Sequence, residues 1–492
     1  MTYKRNIKSK KNKRSRKGGE ALASGGFGCI FKPALKCKNT QKRTKGVSKM
    51  SIEKYGKEEI KEITKIKDRL KSIKNYEKYY LLETELCQPD KLTEDDLKNF
   101  DKKCYALTRF NVNSNNVNSK LANLTILNMP DAGVDLRDWI LSEKNISKEK
   151  IFLLNEVIIK LLKNAVKPMN EKGVIHNDLK DTNIMIDSNL DARIIDWGLS
   201  GVVINKQIPP EILNRPLQYN TPFSSMIISN DFKLNYNIFL QRVKDGIILF
   251  NKTNIRNYII NEYLIKLARY YGYYDDNVIL FKSIFMSGIS EETYLSEVKR
   301  NDLIEYGYYL YYFSNYITDI LIKYTNDKYE FDLDRYFLEC YLFNSDVFGL
   351  MTTYYLFFEV ELKEINLNEN IKKIFLNRVR TMLVETIYTN GAEKYDINKI
   401  IGFIKELNEL INHDNKLSFT QLKSNLNNSK TALISPLGVD QMISNTKSIS
   451  KSRSKSKSKS KSKSKSRSRS RSKNIKKYKK EVDLSKVVTE IE

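Results

Sequence analysis

The stretch "HNDLKDTNIMIDSNLDARIIDWG", His176 to Gly198, decides how the rest of the chain is read. It sets Asp178 two positions after His176 and Asn183 five positions after Asp178, in a sequence whose only other histidine is His413. Two β-prone runs, Ile184–Ile186 and Arg193–Ile195, flank the turn-prone "DSNLDA" and predict a hairpin. Such a hairpin returns Asp196 beside Asn183, so that a carboxylate and an amide oxygen converge on a hard cation such as Mg2+. Asp178 can accept a hydroxyl proton, and Lys180 can steady a transferring phosphate. Oxygen ligands for a hard cation, an acid and a nearby lysine point to phosphoryl transfer rather than hydrolysis.

Working upstream, "LASGGFGCIF" spans Leu22 to Phe31. Glycines 25, 26 and 28 let a strand–turn–strand lie close over an anion with its N–H groups facing phosphates. Leu22, Ala23, Ser24, Gly25, Gly26, Phe27, Gly28, Cys29 and Ile30 form this candidate nucleotide loop, with Phe27 at its tip and Ile30 as an apolar roof over a purine. Further on, "GVSKM" carries Lys49 in a β-prone run. A lysine there can bind phosphate oxygens as a point charge, but it needs a carboxylate to hold it in place. The charged helix "KEEIKEITKIKDRL" supplies Glu59, with Ile60, Ile63 and Ile66 at +1, +4 and +7; Glu58 and Glu62 point further away.

The formal charge of +26 suggests a nucleic-acid binder until it is located. Residues 1–18 hold nine Lys/Arg and residues 447–480 hold seventeen, neither with an acid, and together they account for the whole excess. The charge belongs to two tails, and the body between them is balanced. Residues 447–473 hold thirteen Ser and thirteen Lys/Arg, a low-complexity tract that cannot bury a core. It reads as disordered, as a nucleic-acid attractor through counterion release, or as a tethered phosphorylation substrate. Cys29, Cys37, Cys87, Cys104 and Cys340 lack CxxC spacing, suggest neither a disulfide framework nor a zinc site, and fit a reducing compartment. The basic N-terminus lacks the apolar run of a secretory signal. "YGYYLYYFSNYITDILI", Tyr306 to Ile322, is apolar, but its Asn315, Asp319 and six tyrosines argue for a buried helix and no membrane span.

From Glu20 to about Asn123, short β-like runs alternate with one charged helix. Residues 148–172 carry Phe152, Leu153, Val157, Ile158, Leu161, Leu162 and Val166 at helical spacing. Residues 230–425 are helical in pattern and rich in Tyr, Phe, Ile and Leu. A β-rich part followed by a larger α-rich part predicts an α+β protein of two lobes.

Taken in order, "GGFG", Lys49, Glu59, "HNDLKDTN" and "DWG" resemble the signature set of eukaryotic-type protein kinases. "NIMIDSNLDARIIDWGLS" is especially similar to the casein kinase II branch, which also carries Trp in that triplet. The resemblance implies a bilobal protein-kinase-like fold at 19–440, with a β-rich N-lobe at about 19–130 and an enlarged helical C-lobe at about 131–440. Disordered basic segments would flank it at 1–18 and 441–492. It implies that Leu22 to Ile30, Lys49 and Glu59 serve ATP, that Asp178 and Lys180 are catalytic, and that Asn183 and Asp196 hold Mg2+. Lys180, two after Asp178, is the serine/threonine pattern, so a protein hydroxyl is the implied acceptor. A catalytically silent scaffold of the same fold and a tail-mediated nucleic-acid binder are the alternative functions.

The departures are specific. Ala23 stands for the first loop glycine, and Asn177 for the arginine that usually answers an activation-loop phosphate. The Ala-Pro-Glu that closes the activation segment is replaced by "PPE" at Pro209–Glu211 or "NTPF" at Asn220–Phe223, with the spacing favouring the second. "SDVFGLMTTYY" from Ser345 resembles the helix whose Asp braces the catalytic loop, which makes Asp346 that brace and about 228–340 a helical insertion. "RPLQYN" resembles a kinase-like family of large DNA viruses, which implies an intracellular protein of host cytoplasm or nucleus, or one associated with the virion.

Overall fold

The computed structural model describes residues 19–24, 28–43, 45–264, 283–284, 303–360 and 364–413. The basic arm, the loop tip Gly25–Phe27, two stretches of the 228–340 block and the Ser/Lys/Arg-rich tail lie outside the described residues.

Five strands make one antiparallel sheet in the order β1-β2-β3-β5-β4: β1 Glu20–Ser24, β2 Gly28–Lys32, β3 Val47–Ile52, β4 Glu85–Cys87 and β5 Leu124–Met129. Side chains alternate along each strand. Cys29, Phe31, Met50 and Ile126 go to a small core on one side. Ile30, Lys49 and Leu127 are in register across β2, β3 and β5 and share the other face. Helix α1, Glu53–Leu70, starts directly after β3 and buries Ile63, Ile66 and Leu70, spaced as one helical face.

Two expectations fail here. The segment between β4 and β5 is not β-like; it contains helical turns at Glu94–Leu97, Phe100–Lys103 and Tyr105–Thr108. A capping box starts the first, with Thr93 and Asp96 satisfying each other's amides, and Asp96 also takes Arg43 through both oxygens at 2.8 and 2.6 Å. The cysteines are also not all free. Cys29–Cys104 and Cys37–Cys87 are disulfides with Cα–Cα separations of 5.0 and 5.7 Å, and Cys340 is a buried thiol. Cys29 and Cys104, 75 residues apart, meet because the β4–β5 excursion folds back over β1 and β2, and Cys37 and Cys87, 50 residues apart, meet because the β2–β3 connection pairs with the chain just after β4, paths that cysteine spacing does not encode. The cysteines therefore lend no support to a reducing compartment.

The C-terminal region is helical around a second, larger core. Helix α2, Leu136–Leu141, is followed by α3, Lys148–Leu161, which runs through a π turn at Leu162–Val166 into Lys167–Glu171. Its buried face uses Ile151, Leu154, Val157, Ile158 and Leu161, and Leu162 and Val166 continue it; Phe152, expected inside, is exposed and Leu153 is half-buried, because in the first turn Ile151 and Leu154 take the inward positions. Short strands β6 Val134–Asp135, β7 Val174–Ile175, β8 Ile184–Ile186, β9 Ala192–Ile194 and β10 Gly201–Val202 frame the loop that carries Asp178. Beyond them come α4 Asn230–Lys244, α5 Leu303–Tyr324, α6 Leu342–Met351, α7 Glu369–Leu383 and α8 Ile397–His413.

Tyrosines fill this core while their hydroxyls find partners: Tyr316 meets Tyr395 at 2.7 Å, and Tyr354 donates to Asn155 Oδ1 at 2.7 Å. The apolar run at 306–322 lies inside α5, and no helix among the described residues is long and apolar enough to cross a membrane.

Candidate active site

Strands β8 and β9 pair with Ile184 opposite Ile194, one residue earlier on β9 than the sequence suggests. The Ile195 amide then donates to the Asn183 carbonyl at 3.0 Å, which brings Asp196 alongside Asn183. Asp196 is exposed and adopts φ 64°, a left-handed conformation that Asp tolerates better than most residues. Asn183 is buried, and its Nδ2 donates to the Asp178 carbonyl at 2.8 Å and to Asp178 Oδ2 at 3.0 Å. Because both partners are acceptors, the amide orientation is fixed and its oxygen is the atom left for a cation.

Asp178 is the most heavily engaged group in the region. Its Oδ1 accepts from Arg215 at 2.7 Å and from Asn220 Nδ2 at 3.0 Å, while Oδ2 accepts from Lys180 Nζ at 2.9 Å as well as from Asn183. Burial works to raise its pKa, but Lys180, Asn220 and Arg215 outweigh burial and hold the carboxyl below its usual range.

The loop backbone is held from below by α6. Asp346 Oδ2 accepts from the His176 amide at 2.9 Å and from Asn170 Nδ2 at 2.8 Å, and Oδ1 accepts from the Asn177 amide at 2.8 Å. Burial pushes the Asp346 carboxyl up, against the pull of His176 and these three donors toward the ionised form. One turn along, a Cβ on Gly349 would stand 2.4 Å from the Leu179 carbonyl, so only glycine lets α6 press this close to the loop.

His176 Nε2 donates to the Ile195 carbonyl at 2.9 Å, and its Nδ1 accepts from the Asp178 amide at 3.3 Å, which assigns the tautomer. Trp197 packs edge-on against His176 at 4.8 Å and against Tyr80 at 5.9 Å, and the Tyr80 hydroxyl donates to the Ala165 carbonyl at 2.8 Å. A column of rings thus joins Tyr80, ten residues past the end of α1, to the loop that carries Asp178.

Across the cleft, Lys49 Nζ lies 2.7 Å from Glu59 Oε1, with side chains 16% and 18% exposed. Glu62, one turn on, pairs instead with exposed Lys65, and Glu58 is exposed. A Cβ on Gly28 would stand 2.8 Å from the Met50 carbonyl and 3.2 Å from Lys49 Cγ, so β2 lies directly over the lysine stem. Ile30 shares the Lys49 face, and Leu22 and Ala23 are exposed. The Ser24 hydroxyl is engaged, accepting from the Ala106 amide at 3.0 Å and donating to the Gly28 carbonyl at 3.3 Å. Cys29 requires correction as a nucleotide contact: strand alternation turns its side chain into the core and into the disulfide. Gly25, Gly26 and Phe27 lie outside the described residues.

Residues 17–222 match the family model of the protein kinase domain. The chain carries a protein kinase domain. Its β-sheet N-terminal region and helical C-terminal region are those of the family, and ATP and a protein acceptor are the substrates that the family implies. The match ends inside the "NTPF" stretch, where Asn220 donates to Asp178 and to the Leu179 carbonyl; "PPE" forms a separate 3-10 turn. Asp346, which holds the His176 and Asn177 amides of the loop that carries Asp178, lies far beyond the matched residues, past the helices α4 and α5. Sequence reading missed Arg215 and Asn220 as partners of Asp178. Both sit in a segment without periodicity, and "RPLQYN" carried no chemical hint of where its arginine would point. Among the described residues no three His, Cys, Asp or Glu side chains gather as a metal site. Asn183 and Asp196 would supply two hard oxygen ligands, the donor type that suits Mg2+.

Proposed function

We propose that this chain is a serine/threonine kinase that moves the γ-phosphoryl group of ATP onto a protein hydroxyl, with Asp178 as the base. The observation that carries this reading is the convergence on one carboxylate of Lys180 and Asn183, on a loop that Asp346 holds rigid. Asp178 receives the hydroxyl proton and aims the oxygen, a role worth about 10²–10⁴ in rate. Lys180 turns from Asp178 toward the transferring phosphate, and Lys49, held by Glu59, binds phosphate oxygens from above. Ile30 and Leu127, on the same face as Lys49, give the purine an apolar surface. Asn183 and Asp196 would hold Mg2+, which spreads the charge that develops on the phosphates. Preference for Ser/Thr over Tyr rests on the resemblance at Lys180.

The test is transfer of radiolabel from ATP, with and without Mg2+, to a peptide copying 453–460, "RSKSKSKS", and to one with Tyr in place of Ser. Labelling of the Ser peptide by wild type, lost in Asp178→Ala and on chelation, is the expected result. Equal labelling by wild type and Asp178→Ala would overturn the assignment of the base. Equal labelling of the Tyr peptide would remove the Ser/Thr preference, and ATP binding without transfer would favour a silent scaffold.

A further inference from the structure

Asp178 is gripped from two separate parts of the chain. Lys180 and Asn183 belong to its own loop, whereas Arg215 and Asn220 lie 37 and 42 residues downstream. The Arg215–Asp178 pair is almost wholly enclosed, with side chains 5% and 9% exposed. The same guanidinium nitrogen also donates to Gln218 Oε1 at 3.1 Å, and Asn220 reaches the Leu179 carbonyl at 3.2 Å. The backbone that launches Arg215 is itself tied down, because the Asn214 amide donates to the Ile228 carbonyl at 3.1 Å.

On the facing loop, position 177 is neutral. The Asn177 side chain makes only long contacts, from its Nδ2 to the Leu199 carbonyl at 3.5 Å and from the Tyr341 hydroxyl to its Oδ1 at 3.4 Å. The loop thus presents an anion, Asp178, and the downstream segment supplies the cation. A phosphate placed on that segment would find Arg215 and Lys180 already engaged by Asp178.

The four donors also differ in kind. A carboxylate offers about four lone-pair sites, so a substrate hydroxyl needs one donor to leave. Lys180 is 24% exposed on a flexible stem, while Arg215 is enclosed. Lys180 is therefore the donor that moves, and Arg215 the one that stays.

We propose that Arg215 is a positioning residue: its buried ion pair with Asp178 pins residues 199–222 onto the catalytic loop and orders them without a phosphate. This deepens the kinase reading and rests on it for the role of Asp178. Breaking such a pair by removing one partner leaves a buried charge uncompensated.

The experiment uses full-length protein treated with phosphatase, as wild type, Arg215→Lys and Arg215→Gln. It reads kcat and KM, and amide hydrogen exchange over 199–222. Phosphatase-treated wild type should keep its rate. Arg215→Gln should lose about 10–100-fold in kcat, the range for removing a group that orients a catalytic one, with KM for ATP little changed. Exchange over 199–222 should quicken. Arg215→Lys, which keeps the charge, should restore much of kcat and much of the protection.

Loss of wild-type activity on phosphatase treatment overturns the proposal, as does a Gln variant with unchanged kcat and unchanged exchange. If wild type transfers no phosphate at all, the kinase reading fails on that result, and exchange alone then decides: protection lost in Gln and regained in Lys supports the pin, and equal protection in all three rejects it. Should Arg215→Gln fail to fold, the phosphatase result on wild type gives the decision: retained activity supports the proposal and lost activity overturns it.

Discussion

Glu59 and Asp178 are both carboxylates that hold a lysine, yet the two lobes anchor them in opposite ways. Glu59 makes one ion pair to Lys49 from the side of a helix, in a place that water still reaches. Asp178 accepts from four side chains on two segments, and its backbone neighbours are tied to a fully buried aspartate on a third. A single, part-exposed pair contributes little to stability and can open for a nucleotide. A buried network of satisfied donors fixes geometry and is costly to disturb. The N-terminal region therefore behaves as the adjustable half of the site and the C-terminal region as its rigid half. The same division runs through the cores: the N-terminal core is small and stapled by two disulfides, whereas the C-terminal one is large, aromatic and free of them.

The comparison can be broken most sharply at the rigid half. Asp178→Asn should cut transfer by about 10²–10⁴-fold at saturating ATP while leaving nucleotide affinity in place; an equal loss of affinity would mean that the loop had collapsed. Asp346→Ala strips the acceptor from three enclosed N–H groups, and urea unfolding should show a loss of about 3 kcal/mol or more. Asp346→Asn, which keeps one acceptor oxygen, should lose less.

The adjustable half responds more gently. Reducing the disulfides should lower unfolding free energy by about 2–4 kcal/mol for each bond, given loops of 75 and 50 residues. KM for ATP should rise with reduction, because Cys29 adjoins Gly28 on the strand above Lys49; an unchanged KM would show that β2 needs no staple. Lys49→Ala should lose about 10–100-fold in kcat/KM, the worth of one charge-assisted hydrogen bond, with stability altered by less than about 1 kcal/mol. The smallest effect belongs to Glu62→Ala, one turn from Glu59: within about 0.5 kcal/mol in stability and no change in rate. A Glu62→Ala variant as impaired as Glu59→Ala would remove the basis for choosing between the two acids.

Much of this site was legible as a pattern. The 184–194 hairpin was visible because turn residues separate two short apolar runs, and pairing within such a short loop needs no distant partner. Lys49 and Glu59 could be matched because strand alternation and helix periodicity each assign a side to a residue. Asp346 was suggested by its motif, but its three acceptor bonds depend on how α5 and its neighbours return α6 beneath the loop. Phe152 was misplaced because several apolar residues on α3 blur the phase of its face.

The amino-acid sequence by itself determined the order of the chemical groups, the local hairpin and helix that present them, and the confinement of the net charge to two tails. All of these follow from near-neighbour spacing and residue type. Tertiary structure alone decided that Arg215 and Asn220 close on Asp178, that Cys29 and Cys37 find Cys104 and Cys87, and that the β4–β5 excursion covers the glycine-loop strands. These are contacts between segments tens of residues apart, set by the path of aperiodic chain and by which buried charges and thiols are left to satisfy one another.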